Sequence, residues 1–249
     1  MWRRSALPAL ACALALGILA PVLGRGFVLV YDMSFVPRQP LLPESLGLGT
    51  GAPRAVPADA LVALLTTVIP GDILQQLILL AIVVAGALGV ARLVPSESLL
   101  VRGTAAVAYT WNGFLAERLL IGQWGLLVAY AALPWIVAAA RELREQPDRR
   151  GWARLVLLSA PAAITATGGL LAAGAAIAVA GRRRLYGTLG IAVVLNAPWW
   201  VPGLYGGAGT SDPAAVAVFA ARGESWAPPV LSVLGLGGIW NAQVVPASR

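Results

Sequence analysis

Two short stretches carry the residues able to do chemistry. In 28-VLVYDMSFVPRQP-40 a single acid, Asp32, stands among Val30, Tyr31, Met33 and Phe35. Such an apolar setting raises a carboxylate's pKa and makes it a useful base. Arg38, and Arg54 further along the same loop, are guanidinium groups suited to binding phosphate. In 108-AYTWNGFLAERLLIGQWGLLVAY-130 the adjacent Glu117 and Arg118 are flanked by Asn112 and Gln123, a set that could contact a polar ligand. Each group also has a plainer reading. Asp32 can order its loop by pairing with an Arg, Glu117 and Arg118 can close a turn as an ion pair, and Asn112 and Gln123 can satisfy backbone groups at helix ends.

Composition narrows the chemistry. All 18 basic residues are Arg, with no Lys and no His, so general base work near neutral pH falls to carboxylates. The single Cys12 can form neither an intrachain disulfide nor a cysteine metal cluster. The stretch 165-TATGG-169 reads as a tight turn, since a phosphate-binding loop would need a Lys. No cofactor motif is evident, and nothing in the sequence supports a divalent cation site.

The elements that hold these residues follow from the apolar runs. With 59% hydrophobic and 12% charged residues, and several runs near the roughly 20 residues that cross a bilayer, the chain reads as an all-α integral membrane protein. Nucleic acid is a poor reading of the pI near 10.7, because the Arg residues cluster beside the apolar runs, where topology signals and anionic lipid headgroups place them.

The first run, residues 5–24, follows Arg3 and Arg4 and reads as a retained helix with a cytoplasmic N-terminus, a cleaved signal peptide being the alternative. Residues 25–71 form an extracytoplasmic loop ending in a short amphipathic helix that starts near Asp59. Residues 72–94 return to the cytoplasm. The 43 mostly apolar residues 98–140 are twice the length of one span, so they divide into spans 98–113 and 120–140 with the Trp111 to Trp124 stretch at the outer turn.

Between the arginines of 141–154 and Arg182 to Arg184, an even number of crossings is needed. A short hairpin, 155–166 and 169–181, satisfies this, and one long span is the alternative. Residues 185–201 then run outward, leaving 202–249 extracytoplasmic, with an amphipathic candidate from Asp212-Pro213 to Ala221 and a glycine-interrupted apolar tail. The sum is about seven transmembrane helices, some short. On this map 12 Arg and four acids lie inside and six Arg and seven acids outside, the bias of positive-inside topology. The ion pair Glu117-Arg118 then sits at an outer turn, where no charge need be buried in hydrocarbon.

The stretches 32-DMSFVPRQPLLPESLGLGTGAPRAVPADA-60 and 111-WNGFLAERLLIGQWGLLVAYAALPW-135 resemble a family of actinobacterial multi-pass membrane proteins. That family is similar to the polyprenyl-phosphate-sugar-dependent arabinofuranosyl- and mannosyltransferases of cell-envelope assembly, which are GT-C-type enzymes. Such enzymes generally have more spans and often a C-terminal soluble domain, so the resemblance is to an N-terminal portion. It implies a location in the cytoplasmic (inner) membrane, a lipid-linked sugar donor and an envelope glycan acceptor. It further implies that Asp32 is the catalytic base of the first outer loop, and that Arg38 or Arg118 neutralises the departing phosphate. A non-catalytic membrane subunit or a lipid-linked-glycan transporter, with Glu117-Arg118 bracing or gating a bundle, is the alternative.

Overall fold

A computed structural model of the chain describes residues 2–49, 55–205 and 214–247. Among them there is no sheet, only two isolated bridges, Val30 with Met33 and Glu224 with Ala227. Helix α1 (Trp2–Leu19) continues through a 3-10 turn, Ala20–Val22, into the first loop. That loop carries the short helix α2 (Ala58–Leu65) and leads into α3 (Gly71–Leu93). Helices α4 (Leu99–Thr110), α5 (Gly113–Leu120) and α6 (Trp124–Glu145) come next, then α7 (Arg149–Ser159), a 3-10 turn over Ala160–Ile164, α8 (Ala166–Ala180) and α9 (Leu185–Tyr205). The remaining helices, α10 (Ala214–Val218) and α11 (Pro229–Leu234), are short.

Four helical segments among the described residues are long and apolar enough to cross a membrane: Ser5–Val22, Gly71–Leu93, Trp124–Glu145 and Arg182–Tyr205. Many large apolar side chains on them face outward, including Leu16, Ile73, Leu77, Val193 and Val194, as suits a chain whose solvent is lipid. The expected seven spans are thus matched by four of full length. Helix α8 is a shorter apolar helix of 15 residues, and α4, with 12, covers only about 18 Å.

Boundaries also differ from those the sequence suggests. The outer stretch expected as a plain turn contains α5, and α7 begins at Arg149, inside the block read as a loop. Asp148 explains the early start: it caps α7 by accepting from Gly151 N–H at 2.6 Å. The amphipathic candidate at Asp212-Pro213 begins outside the described residues, where Arg54 also lies, and its described part is α10. The apolar tail forms α11 and a 3-10 turn, Ala242–Val244, and contributes no helix of spanning length among the described residues.

Close packing runs through small residues. Helix α3 meets α6 where Gly86 faces Ala131 and Gly89 faces Pro134 and Trp135; a Cβ on Gly89 would stand 2.6 Å from Trp135 Nε1. Ala11, Ala87, Ala91 and Ala106 bring α1, α3 and α4 together, and alanines of α6 and α8 do the same around Leu143 and Leu155. In lipid, where burial of apolar surface drives little association, such close approach supplies the attraction.

These contacts give the bundle two distinct ends. At one lie Arg92, Arg102, Arg144 and Arg182 to Arg184: Arg102 Nε donates to Ala91 O at 2.7 Å, and Arg184 Nε to Leu143 O at 3.4 Å. Trp152 of α7 packs beside Gly187 at the start of α9 there, so both arginine blocks share one end. The other end collects the first loop, α5 and the tail. Gly71 N–H donates to Pro37 O at 3.1 Å, Pro202 of α9 lies against Gly47, and Ile239 and Val244 of the tail pack on Ile121.

Candidate functional site

At the loop end a cavity of about 580 Å³ opens between the first loop, α2, α5, the start of α6 and the turn before α8. Its polar wall is made by Asp32, Ser34, Gln39, Asp59, Arg118, Gln123, Thr165 and Thr167, and its apolar floor includes Phe35, Val62 and Trp124. A space of this size suits a small polar ligand or a sugar-sized group.

Asp32 owes its place to a two-residue turn and to extended backbone after it. Val30 and Met33 exchange both backbone hydrogen bonds, Met33 N–H to Val30 O at 2.6 Å and Val30 N–H to Met33 O at 3.3 Å, so Tyr31 and Asp32 form the tip. Tyr31 has φ of 33°, a left-handed value that a non-glycine residue adopts only under constraint. Its hydroxyl donates to Gln243 Oε1 at 2.7 Å, tying the tip to the tail. Beyond the tip, side chains alternate. Met33 and Phe35 are buried in the core with α1, α3, α5 and α6, while Asp32 and Ser34 are exposed on the cavity side. Of the apolar neighbours of Asp32 in sequence, Met33 is thus turned into the core and Phe35 meets the cavity only as part of its floor, leaving the carboxylate exposed.

The base of this loop is held by Gln75, buried in the first turns of α3. Its carboxamide accepts from Val28 N–H at 2.9 Å and donates to Val28 O at 2.8 Å, which is how one side chain replaces a strand partner.

Arg118 and Gln123 are positioned by the two ends of α5. Asn112 is the N-cap, accepting from Leu115 N–H at 3.0 Å, while its Nδ2 donates to Ala108 O, Tyr109 O and Tyr130 Oη. Below it the rings of Tyr109 and Tyr130 stack at 4.2 Å, joining α4 to α6. The C-terminus closes in a Schellman motif: Gly122 N–H donates to Leu119 O at 3.1 Å and Gln123 N–H to Arg118 O at 2.9 Å, with Gly122 at φ +80°. This turn delivers Gln123 to Asp32, Nε2 donating to Oδ2 at 3.3 Å, and Ile121 O accepts from Asp32 N–H at 3.0 Å. Gly122 is required for contact as well as for φ, since a Cβ there would stand 2.5 Å from both Met33 N and Val30 O.

Arg118 is half-buried, with Cζ 5.2 Å from the centroid of the Phe114 ring. Its Nε and Nη1 are buried and donate to no protein acceptor. Burial pushes its pKa below the ordinary arginine value, with the neighbouring Glu117 opposing. A guanidinium held with two of its nitrogens unmatched is poised to take an anionic acceptor.

Of the six residues expected at the site, Asp32, Arg118 and Gln123 meet in this wall. Arg38 instead borders a separate depression with Thr66, Thr67 and Pro70, because Gln39 N–H bonds Thr66 Oγ1 and Pro37 O takes Gly71 N–H, turning this part of the loop away. Asn112 acts as a cap and borders a groove between α1 and α4. Glu117 is buried and takes no part in the cavity wall. The tail supports the loop through Gln243 and the end of α5 through Ile239, and none of its described residues lines the cavity.

Residues not expected here are Asp59, Ser34, Gln39, Thr165 and Thr167. Asp59 lies in the first turn of α2, whose N-cap is Pro57, so its carboxylate is not spent on capping. Thr165 caps α8 by accepting from Gly168 N–H at 3.2 Å, which fixes the turn that brings it beside Gly125. For a hard cation the wall offers Asp32, Asp59 and nearby hydroxyls, and among the described residues no group of three or more acids or cysteines gathers at metal-binding distance. No family model matches the chain, and neither a curated protein nor a solved structure is significantly similar to it.

Proposed function

We propose that this chain is a GT-C-like membrane glycosyltransferase, or the N-terminal portion of one. It would transfer a sugar from a polyprenyl-phosphate donor to a cell-envelope glycan on the outer face of the bacterial cytoplasmic membrane. One observation carries the reading: the exposed carboxylate of Asp32 and the guanidinium of Arg118 line one cavity, at the end of the bundle opposite the arginine clusters. A base and an anion receptor in one wall are the two groups that displacement of a phosphate from an anomeric carbon requires.

In this reaction Asp32 takes the proton of an acceptor hydroxyl as that oxygen bonds to the anomeric carbon. The bond from the anomeric carbon to the phosphate oxygen breaks, and the lipid phosphate leaves with the bonding electrons. Arg118 offsets the charge that develops on it. Gln123 occupies Oδ2 of Asp32 and so leaves Oδ1 for the incoming proton. With α4, α7 with its 3-10 turn, and α8 counted as short spans beside the four long ones, the chain crosses seven times from a cytoplasmic N-terminus. The arginine end then rests against anionic headgroups on the cytoplasmic side.

The test is transfer from a polyprenyl-phosphate sugar in membranes carrying the full chain. Asp32→Asn, which keeps the shape and removes the base, is expected to lower transfer by at least about a hundredfold. Unchanged transfer would sink the assignment.

A further inference from the structure

Residues 214–236 of the tail carry their large apolar side chains outward. Val216, Phe219, Val230 and Leu234 are exposed, and Trp226 is 86% exposed. Polar groups of the same segment are bonded within it. Glu224 is buried and accepts from Gly238 N–H, Ser232 Oγ accepts from Glu224 N–H at 3.0 Å, and Arg222 N–H donates to Gly238 O at 3.2 Å. Between 214 and 247 the sequence has two charged residues, Arg222 and Glu224, so Arg222 is the one exposed charge of this stretch. A segment that bonds its backbone internally and turns hydrocarbon outward is built for an apolar surrounding.

What the tail touches sets its depth. Ile239 and Val244 pack on Ile121, just before the span that starts at Trp124. Pro246 reaches further, lining a groove with Gly17 and Ile18 of α1 and Thr110 and Trp111 of α4. The first span ends at Val22, so at 1.5 Å per residue Gly17 and Ile18 lie roughly 6–8 Å inside that end. The tail therefore comes down the flank of the bundle. Its depth is that of an interfacial element, whose apolar face sinks about 5–10 Å into the boundary of head groups and acyl chains.

We propose that residues 214–236 form a lipid-binding surface, seated in the leaflet at the loop end of the bundle. Phe219, Trp226, Val230 and Leu234 lie among the upper acyl carbons, and Arg222 lies at the phospholipid phosphates. The occupant is the bilayer and not a protein. Protein interfaces are rimmed by polar side chains, whereas apart from the Trp226 indole the exposed polar side chains within 214–236 are those of Arg222 and Ser225. Nothing in this proposal depends on what the Asp32 cavity binds.

The experiment uses the full chain with Cys12→Ser in nanodiscs of phosphatidylcholine and phosphatidylglycerol. A nitroxide is placed on a cysteine at Phe219, Val230 or Leu234, all exposed, so that the label displaces no packing. Exposed Gln146 sets the value for water and Val194, on the open face of α9, the value for lipid. The ratio of collisions with oxygen to collisions with a water-soluble nickel chelate is expected at each tail site to exceed that at Gln146 by at least about fivefold. Any smaller ratio would place the tail in water and overturn the proposal. Exclusion of both reagents at the three sites would overturn it too, since protein would then cover the surface, with dipolar broadening marking a second copy. In the unaltered chain, phosphatidylglycerol bearing a diazirine on its first acyl carbons is expected to label residues 216–234 at least about fivefold more than the exposed loop 146–148. Equal labelling of the two would refute the lipid seat without recourse to any variant.

Discussion

Gln123 Nε2 donates to Asp32 Oδ2 across 91 positions of sequence, and the carbonyl of Ile121, two residues before it, accepts from Asp32 N–H at 3.0 Å. The first loop and the α5–α6 turn are thus joined at the residue assigned as base. Removing the amide in Gln123→Ala costs about one hydrogen bond, ~1 kcal/mol, and should lower transfer roughly fivefold while the backbone bond keeps the loop in place. Gln123→Glu should be more harmful, because it sets two carboxylates against each other. The measurement is kcat/KM for both variants, and a Glu variant as active as the Ala variant would remove the contact from the site.

Gly122 makes that junction possible, through φ of +80° and through the space its missing side chain leaves against Val30 O and Met33 N. Gly122→Ala must either distort the Schellman turn or push the Asp32 tip away. Expected are a loss of stability of roughly 2 kcal/mol and of transfer by at least about tenfold. Gly174→Ala is the comparison, since nothing lies within 4 Å of its added carbon in mid-α8. There the helix should gain up to about 1 kcal/mol. Melting temperatures in detergent that move in the same direction for both would contradict this account.

Gln75 shows where the sequence was legible and where it was not. The runs behind α3, α6 and α9 announce themselves through length and apolarity, because a bilayer imposes both. The arginines likewise place α7 and the start of α9 at one end. Asn112 was legible as a helix-end group for a local reason: a cap acts three residues away. What single-sequence reading lacks is pairing over distance. Nothing near Gln75 says that its amide will hold Val28, 47 residues earlier, and nothing near Asp59 or Thr165 says that they will share a wall with Asp32. The signal available for Gln75 was its type, an amide set one turn into a spanning run, where a polar group is kept only with a partner.

That partner gives a prediction. Gln75→Leu leaves Val28 N–H and C=O without protein partners in a half-buried place and should destabilise the fold by roughly 2–3 kcal/mol. Gln75→Glu retains an acceptor for the N–H but loses the donor to the carbonyl, so it should fall at least as far when ionised. Hydrogen exchange at residues 28–33 should accelerate in both variants while α8 stays protected. Unaltered exchange in that loop would mean that the carboxamide is not its anchor.

The two ends of the bundle differ in charge, and the positive-inside rule turns that difference into an orientation. In a Cys12→Ser background, a cysteine at the exposed Glu44 should react with a membrane-impermeant maleimide in intact cells. One at the exposed Gln146, between α6 and α7, should react only after permeabilisation. The pair also tests the number of crossings. Seven segments running between the same two ends predict that a cysteine at Tyr205, at the exposed end of α9, behaves like Glu44; a single long crossing over 155–181 would make it behave like Gln146. Reaction at 146 but not at 44 in intact cells would invert the molecule and move the Asp32 cavity to the cytoplasmic face. An acceptor in the cell envelope could not reach it there, and the transferase reading would fall with the orientation.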